Sequence, residues 1–341
     1  MVEILREVID EGCVWKAAHY RMPSEWIFEF SATQLSELEA AAHGILAAGK
    51  PSVGFSREDF QLPLLSSDLQ ELLNILQTGR GFVFLRGLDV GRCDRDTLKA
   101  IYWGICMHLG SGISQNFRGE LMSAVTNYGD QFDGDPYVHN IRLHRTTHEI
   151  HPHTDSCDYV ALLCENPAKW GGESTIVSSL AIYNEILATH PEYLKPLCEG
   201  FYLDLIGKGT TEKEISFHRI PVYSYFGGKV SARFNKRQIE LGAEKASGSL
   251  DGLAQAAVDY VRELSERDEF RLSMEFQSGD IQILNNRVIF HSRNAFEDHR
   301  EPERMRLLWR VWLNAAEPRP MAPEFANQLN TGARGGVTAR A

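Results

Sequence analysis

Two imidazoles and a carboxylate stand in the chain as His153-Thr154-Asp155 and, far downstream, His291 within Asn286-Arg-Val-Ile-Phe-His-Ser-Arg293. This is the ligand order of a 2-His-1-carboxylate metal site. On iron such a triad leaves coordination positions open for oxygen and a co-substrate, and the same donors can hold zinc with an activated water. Residues two apart on a strand point the same way, so His153 and Asp155 on one strand would share an interior while Thr154 faces outward. An isolated His-x-Asp arises by chance more often than it binds metal, and the downstream residues are what give this one weight.

Those residues include the segment Arg306-Leu-Leu-Trp-Arg-Val-Trp-Leu313, which reads as a strand with Leu307, Trp309, Val311 and Leu313 on one face and Arg306, Leu308, Arg310 and Trp312 on the other. Arginines four apart on a strand lie roughly 13 Å apart at their backbones, so the two can address two ends of one cavity. A guanidinium binds a carboxylate through two parallel hydrogen bonds and keeps its charge when partly buried. Arg287, Arg293, Arg300 and Arg304 crowd the same region of an otherwise acidic chain, which favours an anion site over a solvated strand face.

Competing side chains rank lower. His139, His144 and His148 read as loop histidines, whereas His151 shares the parity of His153 and is a candidate to touch substrate or orient a ligand. Asp158 has the wrong strand parity to replace Asp155, and His299 sits in the charged run Asp298-His-Arg-Glu-Pro-Glu303. Gln115 and Tyr159 are candidate substrate-pocket residues, set against the commoner outcome of ordinary packing.

The elements that must position these groups show in the pattern. Ser31-Ala-Thr-Gln34 is a capping box opening a helix through Leu35, Leu38, Ala42 and Ile45, and Gly49 ends it. A second helix runs from about Asp68 to Gly79, Phe82-Val-Phe-Leu85 reads as a buried strand, and Asp94 caps a helix that stops at Gly110. Residues 1–110 are thus expected to be mostly helical. Short strand-like pieces follow to Val177, interrupted by Gly129-Asp-Gln-Phe-Asp-Gly-Asp-Pro136, a polar, turn-rich stretch expected to be a loop and a candidate lid. Helices are expected near Ser179–His190 and about Leu250–Arg267. Strands resume after Phe270, with a turn at Ser278-Gly279-Asp280. No repeat or linker divides the chain, so residues 1–330 read as one catalytic domain and 331–341 as a loose tail.

Composition bounds the partners. With 46 acidic against 35 basic residues the net charge is −11, which argues against a general affinity for nucleic acid or anionic membrane. The 43% hydrophobic share supports a substantial core. The amino terminus interleaves charges with apolar residues, unlike a signal peptide or membrane span. Six irregularly spaced cysteines without a Cys-x-x-Cys pair fit free thiols in a reducing cytosol. A cytoplasmic enzyme of small molecules is the expectation, with a homo-oligomer left open.

Taken in order, Gly81-Phe-Val-Phe-Leu-Arg-Gly87, His153-Thr-Asp155, Gly171-Gly-Glu-Ser174, Asn286-Arg-Val-Ile-Phe-His291 and Arg306-x-x-x-Arg310 resemble the Fe(II)- and 2-oxoglutarate-dependent dioxygenases of the taurine dioxygenase-like (TauD/TfdA) family. The likeness spans about residues 80 to 315. It implies a mainly β fold with flanking helices around a double-stranded β-helix, or jelly roll. It makes His153, Asp155 and His291 the ligands of Fe(II) and Arg306 the anchor for the far carboxylate of 2-oxoglutarate. Ser174 matches a hydroxyl that assists Arg306, and the adjacent Thr175 is an alternative. Arg310 matches a position that contacts an acidic group on the prime substrate. The reaction implied consumes O2 and 2-oxoglutarate, releases succinate and carbon dioxide, and oxidises an unactivated C–H bond, hydroxylation being the default. The retained Asp155 separates the chain from related halogenases, which lose this carboxylate to admit halide. A zinc hydrolase on the same triad leaves the arginines and Ser174 without a role, and a sensor that binds metal and 2-oxoglutarate without turnover is the other alternative.

Overall fold

A computed structural model describes residues 2–129, 145–205, 214–326 and 336–337. Its strands are β1 (Ile27–Glu29), β2 (Phe82–Arg86), β3 (Ser111–Ile113), β4 (Met122–Thr126), β5 (Ile150–His153), β6 (Tyr159–Asn166), β7 (Trp170–Gly171) and β8 (Ser174–Ser178). Then come β9 (Tyr223–Phe226), β10 (Lys229–Ala232), β11 (Leu272–Met274), β12 (Ile281–Asn285), β13 (Ile289–Arg293), β14 (Phe296–Glu297) and β15 (Leu307–Asn314). The helices are α1 (Ala32–Ala47), α2 (Ser66–Gln77), α3 (Arg95–Leu109), α4 (Ser179–Thr189), α5 (Leu194–Glu199), α6 (Lys236–Ser247), α7 (Gly252–Glu266) and α8 (Pro323–Ala326).

The expected caps close the early helices. Ser31 Oγ accepts from the Gln34 N–H while Gln34 Oε1 accepts from the Ser31 N–H, and Asp94 accepts from the Thr97 N–H at 2.8 Å at the start of α3. β1, with only three residues, carries too little pattern to be expected from sequence, yet it pairs in parallel with β2.

The strands form two main sheets. The larger has the order β1-β2-β12-β6-β15-β3, with β4 also on β15, and the smaller has β11-β8-β13-β5. Alternation along the larger sheet splits its residues between two cores. Val83, Leu85, Ala161, Leu163, Ile281, Ile283, Val311 and Leu313 pack outward with Leu38, Leu69 and Leu98 of α1–α3. Phe82, Phe84, Val160, Cys164, Leu284, Leu308 and Trp312 face inward with Ile176 of the smaller sheet and Leu180 of α4. This explains the apolar outward face of β15, since α1–α3 cover it. Between the inner faces lies a cavity of about 1150 Å³, reached by Leu162, Leu308, Arg310 and Trp312 from one sheet and by His153, Ser174, His291 and Arg293 from the other.

One glycine lets the turn before β12 approach the chain leaving β2. Gly279, at a φ of 90°, turns the chain into β12 where a Cβ would lie 1.9 Å from the Leu88 carbonyl oxygen. The carboxyl-terminal tail is not loose throughout. The Gly336 N–H donates to the Ser156 carbonyl, the Val337 N–H to that of Ser114, and Val337 is buried. Two backbone bonds and one apolar side chain are too short a signal to show as periodicity. Among the described residues no helix is long and apolar enough to cross a membrane.

Candidate active site

His153 closes β5 and His291 lies directly opposite it on β13, their ring centroids 4.3 Å apart. Asp155 joins them, and one ligand atom from each of the three lies within 4.8 Å of the others. Strand parity alone does not put Asp155 there, because β5 ends at His153. The Thr154 N–H donates to the Phe234 carbonyl at 2.8 Å and the Thr154 hydroxyl accepts from the Phe234 N–H, which fixes the link between His153 and Asp155. Asn286 Oδ1 then accepts from the Asp155 N–H at 3.3 Å, so the turn between β12 and β13 braces the carboxylate from behind.

The donor atoms are prepared for a divalent ion. His153 Nδ1 donates to the His151 carbonyl at 2.9 Å, which leaves Nε2 as the lone-pair donor. His151 therefore orients the ligand through its backbone, while its ring lies against Arg262 Nη2. Burial and the neighbouring His153 push the His291 pKa down to about 3, against the pull of Asp155. Burial alone would raise the Asp155 carboxyl, but Arg310, His291, His153 and the Trp312 N–H outweigh it and hold the group well below the usual carboxylate range. At neutral pH a neutral His291 and an ionised Asp155 meet the requirement that metal ligands be deprotonated. Asp155 Oδ2 accepts from Trp312 Nε1 at 3.0 Å and from Arg310 Nη1 at 3.5 Å.

Arg306 enters the same cavity just before β15. Its N–H donates to Asp298 Oδ1 at 2.6 Å, its Nη2 to the Gly172 carbonyl at 3.4 Å, and its guanidinium lies over Phe296. Only 4% of Arg306 is exposed, and its Nη1 has no hydrogen-bond partner among the described residues. Burial lowers its pKa to about 10, so it remains a cation at neutral pH with an unmet donor. A buried, unpaired guanidinium edge is a demand for an anion. Gly172 makes the space, since a Cβ there would lie 3.1 Å from Arg306 Nε.

Ser174 lines this end of the cavity and donates to Gln282 Oε1 at 2.9 Å. Thr175 takes the opposite face of β8, paired with Ser292, so the alternation that exposes Ser174 to the cavity removes Thr175 from it. Tyr159 is likewise a correction: with Ala161 and Leu163 it packs into the helical core, while Val160 and Leu162 line the cavity. Gln115 is at the cavity wall, but its carboxamide is committed to protein. Nε2 donates to the Leu121 and Arg310 carbonyls, and Oε1 accepts from Ser123 Oγ and Arg310 Nε.

Asp158 is no rival ligand, because it is ion-paired with Arg287 at 2.9 Å and accepts from the Ala315 N–H. The triad does not include His148 or His299. His139, His144 and the candidate lid from Asp130 to Pro136 lie outside the described residues. Sequence reasoning missed two supports of Asp155. Asn286 gives no local signal, whereas Trp312 shares the strand parity of Arg306 and Arg310 and could have been found by it.

Two facing sheets enclose a His-Asp-His cluster that could hold a metal ion and a buried arginine with an unmet donor. Residues 47–312 match the family described as "Taurine catabolism dioxygenase TauD, TfdA family", and the chain belongs to it. It is a non-haem iron, 2-oxoglutarate-dependent oxygenase, with O2 as the oxidant. Membership decides against the zinc-hydrolase and sensor readings. Among curated relatives, FR-33289 synthase of Streptomyces rubellomurinus (strain ATCC 31215) is 28% identical over 334 residues, covering 97% of this chain and 96% of the relative. The taurine hydroxylase-like protein SAT17 of Stachybotrys chartarum (strain CBS 109288 / IBT 7711) is 28% identical over 298 residues, 84% of this chain and 75% of its own. Among solved structures, asparagine oxygenase with Fe(II), 2S,3S-3-hydroxyasparagine and succinate superposes with a TM-score of 0.68 at 14% identity, covering 92% of this chain and 100% of that one. The non-haem iron oxygenase OrfP with Fe and alpha-ketoglutaric acid gives 0.62 at 14% identity, covering 92% and 99%.

Proposed function

We propose that the chain works as one jelly-roll catalytic unit that hydroxylates an unactivated C–H bond of a small acidic or amino-acid-like metabolite. His153, Asp155 and His291 would hold the iron, and Arg306 with Ser174 the far carboxylate of 2-oxoglutarate. The observation that carries this reading is the unmet Nη1 of buried Arg306 in the same cavity as the triad. Iron held there supplies the oxidising chemistry: one O2 and one 2-oxoglutarate are consumed, succinate and CO2 leave, and the second oxygen atom enters the substrate. The protein's part is placement. Leu162, Leu308 and Phe276 give the cavity dry walls, and the two arginines fix charged groups at separate points.

The cavity, at about 1150 Å³, is large for one small ligand and leaves room for a substrate beside the co-substrate. Arg118, Lys236 and Arg262 also reach it but pair with Glu120, Asp259 and Glu266, so what favours an anionic substrate is Arg310, 3.5 Å from Asp155. The relatives' printed names fit this class, since OrfP and asparagine oxygenase are described with hydroxylated amino acids. The test is to screen small acids and amino acids for stimulated succinate formation by the Fe(II)-loaded protein and to weigh the product. A gain of one oxygen supports hydroxylation, a loss of two hydrogens would replace it with desaturation, and undiminished turnover by His153→Ala would sink the ligand assignment.

A further inference from the structure

Gln115 is 3% exposed and every hydrogen-bonding position of its carboxamide is filled. The two N–H donors of Nε2 go to the carbonyls of Leu121 and Arg310, at 2.9 and 2.8 Å, and Oε1 accepts from Ser123 Oγ at 3.0 Å and Arg310 Nε at 2.8 Å. The residue is fixed in turn by its own N–H, which donates to the Glu120 carbonyl at 3.0 Å. Gln115 thus grips Arg310 twice, at its backbone carbonyl and at its guanidinium.

The consequence lies at Asp155. An unrestrained guanidinium beside a carboxylate closes to a bidentate pair at about 2.7–2.9 Å. Arg310 Nη1 instead stands 3.5 Å from Asp155 Oδ2, with Nε turned to Gln115 and the guanidinium stacked 4.9 Å from the centre of the Trp312 ring. Full pairing would cover carboxylate lone pairs that a metal needs, in the group that also accepts from Trp312. We propose that Gln115 is a positioning residue that holds Arg310 off Asp155, keeping the carboxylate available to the metal while leaving the cation in the cavity.

The inference rests on the triad assignment, and the experiment separates the two. Calorimetric titration of the metal-free full chain with Mn(II) reads the ligand set without turnover. Gln115→Met should weaken Mn(II) binding about tenfold or more, because the released Arg310 competes for Asp155. Adding Arg310→Met to that variant should restore affinity to the wild-type level or above. A merely structural Gln115 would lower the unfolding temperature without this recovery. Wild-type affinity in Gln115→Met, or a loss that Arg310→Met does not repair, overturns the proposal. Undiminished affinity in His153→Ala overturns the triad instead, and the inference with it. If Gln115→Met does not fold, Gln115→Asn keeps a carboxamide in the buried site one bond short of Arg310 and is read by the same two outcomes.

Discussion

Arg306 shows what one buried side chain decides. Its planar fork keeps one N–H edge unmet while the rest of the group is anchored by Gly172 and Phe296, so the site discriminates by geometry as well as by charge. Lysine would keep the positive charge but present a single compact ammonium on a flexible stem. Arg306→Lys is expected to raise the KM for 2-oxoglutarate about ten- to a hundredfold, the equivalent of losing one charge-assisted hydrogen bond of roughly 1.5–3 kcal/mol. The effect should fall on KM more than on kcat at saturation, because Arg306 lies outside the triad proposed to hold the iron. An unchanged KM in steady-state succinate assays would remove Arg306 from the co-substrate site.

At the scale of elements, the turn joining β12 to β13 organises the site. Asn286 braces the Asp155 backbone, and the next residue, Arg287, pairs with Asp158 with both side chains at most 3% exposed. The pair ties this turn to the start of β6, two strands that also pair through Asn285 and Tyr159. Removing one partner leaves the other charge buried and uncompensated, so Arg287→Met is expected to destabilise the fold by about 3–5 kcal/mol. Adding Asp158→Asn should recover most of it. Chemical denaturation of the wild-type chain and these two variants measures this, and a loss below about 1 kcal/mol in Arg287→Met would mean the turn is held by its backbone alone.

These elements also mark where sequence reading reaches and where it stops. Period-two alternation placed Arg310 and Trp312 on one face of β15 with Arg306 in the same register just before it, and the histidines and carboxylate stand out by residue type. The same rule cannot see a strand end, so it reached the right result for Asp155 through a strand that stops at His153, two residues short. Tyr159 and Gln115 show two different limits. Strand parity sends Tyr159 into the helical core, whereas Gln115 reaches the cavity wall but finds its partners in Arg310 and Ser123, residues distant in sequence whose approach only the folded sheet determines. β1 and α6 escaped notice because three residues, or a charged helix with few apolar positions, carry too little pattern.

Across the whole molecule, burial should make the thiols report the integrity of both cores at once. All six cysteines are free, and all but Cys93 are buried. Cys13 belongs to the inner core and Cys106 to the helical one. Desolvation pushes the Cys13 thiol up to about 11 and those of Cys164 and Cys198 up to about 12, and it raises Cys106 and Cys157 further. Since the thiolate is the reactive form, these groups are both shielded and protonated at pH 8. Cys93, half-buried on the short link before α3, is the exception in access, although burial and Glu39 raise its pKa as well. A disulfide-exchange reagent added to the native protein at pH 8 should therefore titrate about one thiol rapidly, and its rate should rise with pH as Cys93 ionises. The other five should react only as the cores open, with a common slow rate that denaturant accelerates. Two or more fast thiols in the native state would show that one of the cores breathes far more than its packing implies.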